Sequence, residues 1–362
     1  MNKIFTKITL ALLAMCFMCG HAQAQFTTTF AKNATPGQQN GLYYSLPQTV
    51  LKLDFIIQET NLVKGPLKDY ASNYLEMEDY VEYETTEYNL LDVKMSTVAN
   101  PDPNALFFVN FTSVRGGSGI EFDLMPDGII RSVGIGGLTD GALEKPLACN
   151  ESSTCCHESA GSDEDFIGLI SAGKTNAQLA KEIADKIESI RKAKFYLISG
   201  DVEMASNPET FNAMYQKLDE MEKEYTSLLV GKRVSKKVVK TVYVIPNKEV
   251  TTQTIAKFSE KDGLTVGTSG SGDMISVQTL SLNTTAAINA PSQSAIESMT
   301  YENKVFYRVP EVVNVKVMVG GETMLEDRLM VNQLGAVLMA PISNSKLLFD
   351  TETGQIVNLK MQ

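Results

Sequence analysis

From residue 42 to 57 the chain runs Leu-Tyr-Tyr-Ser-Leu-Pro-Gln-Thr-Val-Leu-Lys-Leu-Asp-Phe-Ile-Ile. Its second half alternates apolar with polar positions, the period of a strand. Pro66, followed by Leu67, Tyr70, Ala71 and Tyr74, predicts one short helix with proline at its start. Residues 80–98 alternate again, with Val81, Tyr83 and Thr85 on one side and Glu82, Glu84 and Thr86 on the other. Leu106 to Phe111 is a further strand. Met125-Pro126-Asp127-Gly128-Ile129-Ile130 places a turn between two apolar runs, which predicts a hairpin.

The period then changes from two to 3.6. Leu179, Ile183, Ile187 and Ile190 form one face of a helix over about 176–194. Asn207-Pro208 opens a second helix, striped by Phe211, Met214, Tyr215, Leu218, Met221, Tyr225 and Leu228, and Gly231 ends it. Each helix must bury its stripe, most simply against the other, with Ile183, Ile187, Leu218 and Tyr225 as core positions. From 232 onward strand patterns return, the last a hairpin over Leu347 to Leu359 around Thr353-Gly354. The expected fold is therefore α+β, with β-rich N- and C-terminal portions flanking a central helical pair. The expected divisions are a segment 1–24, a β-rich domain 25–140, a linker 141–173, the helical pair 174–231 and a β-rich domain 232–362.

The N-terminus changes the picture of where the chain works. Lys3 and Lys7 precede an apolar run, Ile8 to Met18, and Ala22-Gln23-Ala24 is a small-x-small cleavage signal. This predicts a signal peptide cleaved after Ala24 and residence in the periplasm or cell envelope. The run is too short to span a bilayer comfortably, and no later stretch is long and apolar enough, so no transmembrane segment is expected in the mature chain. The 362-residue chain carries a net charge of −11, and losing Lys3 and Lys7 takes it to −13. Such an acidic chain disfavours nucleic acid as a partner.

Candidate chemistry is sparse. Gly168 to Thr175 fits the phosphate-loop pattern GxxxxGK(S/T). The acidic run Asp163-Glu164-Asp165 precedes it where a buried strand is needed, so Thr175 and Gln178 read instead as a capping box opening the helix. Cys149, Cys155 and Cys156 lie beside His157, the one histidine past the cleavage site. Adjacent cysteines serve one tetrahedral metal poorly, so the trio reads as a loop disulfide or reactive thiols. A lone histidine disfavours a Ser-His-Asp hydrolase, which would have to use it. Neither a cofactor nor a metal is expected. Glu76, Glu78, Asp79, Glu82 and Glu84, interleaved with tyrosines, form a candidate acidic interaction surface without a calcium-loop pattern.

Tyr44-Ser45-Leu46-Pro47 with Val50 echoes Tyr307-Arg308-Val309-Pro310 with Val313, and Asp127-Gly128-Ile129-Ile130 resembles Thr353-Gly354-Gln355-Ile356. The spacing between the two elements differs in the two halves, so chance is the simpler reading over duplication. The chain thus has YYSLP near the mature start, a PDG hairpin, a helix pair ending in LLVGK, a YRVPEVV strand and a terminal LLFDTETGQIVNL hairpin. This order resembles an uncharacterised exported-protein family of gut Bacteroidetes, domain of unknown function 4831. The resemblance implies periplasmic or envelope residence and carries over no activity and no site residue. The expected function is a non-enzymatic envelope protein that binds or supports a protein or glycan partner. The alternative is an envelope hydrolase using carboxylates, which a concave pocket with converging Asp or Glu and a shifted carboxyl pKa would distinguish.

Overall fold

The computed structural model describes residues 26–34, 40–75, 79–111, 119–135, 173–199, 208–342 and 345–361. Along the chain lie β1 (Phe26–Phe30), β2 (Gly41–Val63), α1 (Ala71–Leu75), β3 (Thr85–Phe111), β4 (Ile120–Leu124) and β5 (Ile130–Ile135). The helices α2 (Asn176–Ser199) and α3 (Pro208–Val230) follow, then β6 (Lys232–Val244), β7 (Thr252–Ser259), β8 (Gly263–Val266) and β9 (Asp273–Ser281). The chain closes with α4 (Gln293–Ser298), β10 (Tyr301–Glu302), β11 (Lys304–Val319), β12 (Glu322–Pro341), β13 (Ser345–Phe349) and β14 (Ile356–Met361).

Three antiparallel sheets result, in the orders β10-β1-β3-β2-β6, β12-β11-β9-β7-β8 and β14-β13-β5-β4. The described residues are 54% strand and 24% helical, so the fold is mostly β rather than the α+β class expected from the sequence. The physical reason is pairing between distant segments. Strands from both ends of the chain share sheets, β1 with β10 and β5 with β13. The helical pair packs on itself and α1 instead of covering a sheet, with Leu179, Ala180, Ile183 and Ile187 meeting Leu228, Leu229, Leu67 and Ala71. Ile183 and Ile187 are buried, while Leu218 and Tyr225 are half-buried.

Two cores lie along the long strands. In the first, Leu51, Leu53, Phe55 and Ile57 of β2 point inward by the two-residue period. They face Ile275 and Val277 of β9 and Val313, Val315 and Val317 of β11, a sheet-on-sheet sandwich. Each such side chain contributes about 1.5–3 kcal/mol on leaving water. In the second, Tyr44, Phe107 and Phe306 pack against Ile130, Val133, Leu347 and Phe349 of the four-stranded sheet. Phe107 stacks on Phe306 with centroids 4.3 Å apart.

The crossover from one core to the other happens at a bulge, and it happens twice. Between β2 and β3 the pairing steps from Ser45↔Leu106 to Pro47↔Pro101, so Asp102 to Ala105 oppose the single Leu46. Between β11 and β12 it steps from Val309↔Ala336 to Glu311↔Val331, so Asn332 to Gly335 oppose the single Pro310. Such bulges bend and twist a hairpin, and proline, which lacks the ladder donor, is tolerated there. A short hairpin follows each long one, β4–β5 with Gly128 at φ 90° in its turn and β13–β14 with Gly354 at φ 76°. The Ser45 N–H donates to the Gly128 carbonyl at 2.9 Å, and the Arg308 N–H donates to the Gly354 carbonyl at 3.0 Å. The echo between YYSLP and YRVP is therefore a repeated structural unit, a bulged long hairpin clasped by a glycine turn, and not a chance likeness. The proline and the bulge are offset by one residue between the copies, which blurs the repeat in sequence.

Candidate functional site

Where the two units meet, buried polar groups cross from one to the other. Arg308 of β11 and Asp102 of the first bulge form a buried ion pair through Arg308 Nη2 and Asp102 Oδ2, and Nη1 donates to the Pro47 carbonyl at 2.6 Å. Burial pulls the guanidinium pKa down, and the Asp102 charge partly restores it. The Ser45 hydroxyl donates to the Asp102 carbonyl at 2.9 Å. The Tyr44 phenol, pushed up by burial, accepts the Phe306 N–H at 2.9 Å. In the second bulge Asn332 N–H donates to Thr49 Oγ1 at 3.0 Å, and Gln333 Nε2 donates to the Thr49 carbonyl at 2.9 Å. Asp102 and Asn332 occupy the same position in their bulges, the first residue of each extruded four.

Above this network opens a cleft of about 450 Å³. Each unit contributes its glycine turn and its second long strand: Met125, Asp127 and Ile129 with Thr97, Val98 and Ala99 from the first; Thr351, Glu352 and Thr353 with Leu329, Met330 and Asn332 from the second. Thr49 completes the lining. A seam between repeated units is a common place for a ligand seat. Asn332 is 1% exposed; its Nδ2 donates to the Glu352 carbonyl at 2.6 Å, while its Oδ1 has no donor. A buried carbonyl oxygen without a donor costs about 1–3 kcal/mol, so this one stands out. Asp127 Oδ1 accepts the Ile129 N–H at 3.1 Å and so holds its own turn in shape.

Of the candidates singled out in the sequence, none of the described ones lines the cleft. Cys149, Cys155, Cys156, His157, Glu76 and Glu78 fall outside the described residues, as does the start of the phosphate-loop match, Gly168 to Ala172. Its last residues are described. The Thr175 N–H donates to Gln178 Oε1 at 3.0 Å, the Gln178 N–H donates back to Thr175 Oγ1 at 3.4 Å, and Lys174 bonds to Glu182. These are the contacts of a capping box. Of the acidic stretch, Asp79 pairs with Arg233 at 2.9 Å, the Glu82 carbonyl accepts Lys68 Nζ at 2.9 Å, and Glu84 is exposed. Glu82 raises the exposed Tyr83 phenol pKa by hydrogen bonding to it. Lys236 pairs with Glu59 at 3.0 Å, so the basic entry to β6 partly neutralises acidic neighbours.

The cleft itself escaped sequence reading, because its residues come from five separate stretches and include no motif of known chemistry. The repeated Tyr-x-x-Pro and glycine-turn signals were the available pointers to it. Among the described residues no cluster of three His, Cys, Asp or Glu could hold a metal ion, and no helix is long and apolar enough to cross a membrane.

Fold and site together define a mostly-β protein of two clasped hairpin units with a cleft at their seam. The family model for a domain of unknown function, DUF4831, matches residues 40–357, which run from the residue before β2 into β14. The chain belongs to that family, the one its sequence motifs resemble. No curated protein and no solved structure matches it.

Proposed function

We propose that this is a non-enzymatic binding protein of the cell envelope whose ligand seat is the seam cleft. The observation that carries the reading is the cleft of about 450 Å³ at the seam, lined by the glycine turn and the second long strand of each unit. Export is argued from the n-region, the apolar run and Ala22-Gln23-Ala24, and the family resemblance points to the periplasm or envelope of a gut Bacteroidetes. Binding is preferred to hydrolysis because the perturbed carboxyls among the described residues are held low. Glu182, Glu188, Asp219, Glu222, Asp262, Glu311 and Glu326 all shift downward, and none of them lines the cleft. A catalytic acid needs the opposite shift.

The test is capture from a detergent extract of the native envelope, using the mature chain and Thr97→Trp. Thr97 is exposed in the lining, so indole there fills the cleft without opening a core. The reading expects a partner retained by the wild type and lost by the variant. Equal retention by both removes the cleft from the account.

A further inference from the structure

We propose that the outer edge of β6 takes up an acidic, extended segment of a second protein as an added antiparallel strand, at a surface separate from the seam cleft and for a different partner. The internal repeat supplies the first observation. Leu46 and Pro310 are the single residues opposite the two bulges. Five residues beyond each, Leu51 pairs with Val244 of β6 and Val315 pairs with Thr279 of β9. β6 and β9 therefore hold the same place, each flanking the first long strand of its unit on the side away from the second. β9 carries a further antiparallel strand on its outer edge, β7, with Thr252 opposite Gln278 and Phe258 opposite Asp273. The matching stretch of β6 runs from Tyr243 back to Val238, and among the described residues no strand pairs with its outer edge. The second unit thus displays the kind of element this edge accommodates, and an unpaired edge offers its N–H and C=O groups to an incoming strand.

Charge supplies the second observation and selects the occupant. β6 holds five basic residues and no acidic one, in a chain of net charge −11. Away from the matching stretch, Arg233 and Lys236 pair with Asp79 and Glu59. At the stretch itself the cations meet neutral groups. Exposed Lys237 lies across the ladder from Gln58, and exposed Lys240 donates to the Leu264 carbonyl at 3.2 Å. Successive residues point to opposite faces, so acidic side chains of an added strand would meet Lys240 on one face and Lys237 on the other. Val239 and Tyr243, 58% and 63% exposed, give that strand apolar neighbours. Lysines on an edge discourage indiscriminate pairing, which leaves an acidic strand as the one favoured here. A second copy of β6 fits poorly, because two basic strands would lie side by side and like charges directly opposite are destabilising.

The test uses the mature chain and the fluorescein-labelled peptide amide Thr-Val-Thr-Glu-Val-Val-Glu, which sets one glutamate against Lys240 and the other against Lys237. Fluorescence anisotropy should show binding that weakens with added salt. The same peptide with both glutamates replaced by lysine should bind at least about tenfold more weakly. Lys237→Glu with Lys240→Glu, both exposed positions, should reverse that preference. Backbone N–H groups of the added strand alternate between its two edges, and only one edge meets β6. Of two acidic peptides N-methylated at the odd or at the even residues, one should therefore bind and the other fail. Hydrogen exchange read by mass spectrometry should slow in β6 when the acidic peptide is added and stay unchanged in β14, another sheet edge. No binding of the acidic peptide, equal binding of its lysine form, or parent-like binding of both methylated peptides would each overturn the proposal. Protection appearing at β14 instead of β6, or protection of β6 that rises with protein concentration alone, would do the same, the latter by assigning the edge to a second copy.

Discussion

Asp102→Ala removes one partner of the ion pair that joins the two hairpin units, and it should be among the most damaging single changes outside the hydrophobic cores. The side chains of Arg308 and Asp102 are 6% and 4% exposed, so little water can replace the lost carboxylate. Leaving one member of a buried pair uncompensated costs about 3–5 kcal/mol. Arg308 retains its Nη1 bond to the Pro47 carbonyl, while its Nε already lacks an acceptor, which places the expected loss near the lower end, about 3 kcal/mol. Replacing both partners by apolar residues, Asp102→Leu with Arg308→Met, removes the stranded charge and should recover most of the loss. The assay is urea unfolding followed by circular dichroism, with the wild type, Asp102→Ala and the double variant compared at constant m-value. The reasoning is refuted if Asp102→Ala costs under about 1 kcal/mol, or if the double variant is less stable than Asp102→Ala alone.

Ile187 is 1% exposed in the helical core, so Ile187→Ala should lower stability by about 2–5 kcal/mol in the same unfolding assay. Thr175→Ala removes one half of the capping box and should cost about 1 kcal/mol, and ATP with magnesium should leave the melting temperature where it was. Burial alone would raise the Glu311 carboxyl, yet the hydroxyls and N–H groups of Thr284 and Thr285 hold it at about 2. A depressed carboxyl stabilises the fold above its unfolded pKa, so its contribution, about 3 kcal/mol, should fade as pH drops from about 5 to about 2. Glu311→Gln should be less stable at neutral pH and should flatten that part of the stability–pH curve; an unchanged acid limb would contradict the assignment.

Local patterns reached far into this fold where the signal was itself local. The stripe and Asn207-Pro208 start placed α3 over Pro208–Val230, and the four-residue spacing of Ile183 and Ile187 located the buried side of α2. The Pro126-Asp127-Gly128 and Thr353-Gly354 turns marked both short hairpins. Alternation over 42–57 found part of β2, but not its run from Gly41 to Val63. Its partners, β3 and β6, are fixed by contacts far along the chain, and no local period encodes them. The cleft was hidden for the same reason. Asn332 looks like an ordinary strand residue until the bulge folds it inward beside Thr49, nearly three hundred residues earlier in the chain. The α+β expectation failed because two long amphipathic helices weigh heavily in a sequence, whereas strand pairing decides the architecture.

The central claim is that partners meet this protein at the seam of its two units. Met330, at the cleft rim and 51% exposed, can be replaced by the photo-reactive residue p-benzoylphenylalanine, with Val234 on β6, 53% exposed, as a distant control. Irradiation of intact cells followed by mass spectrometry should give one dominant adduct from position 330 and none of it from position 234. The same adduct from both positions, or none from position 330 in cells that hold the protein folded, would contradict the account.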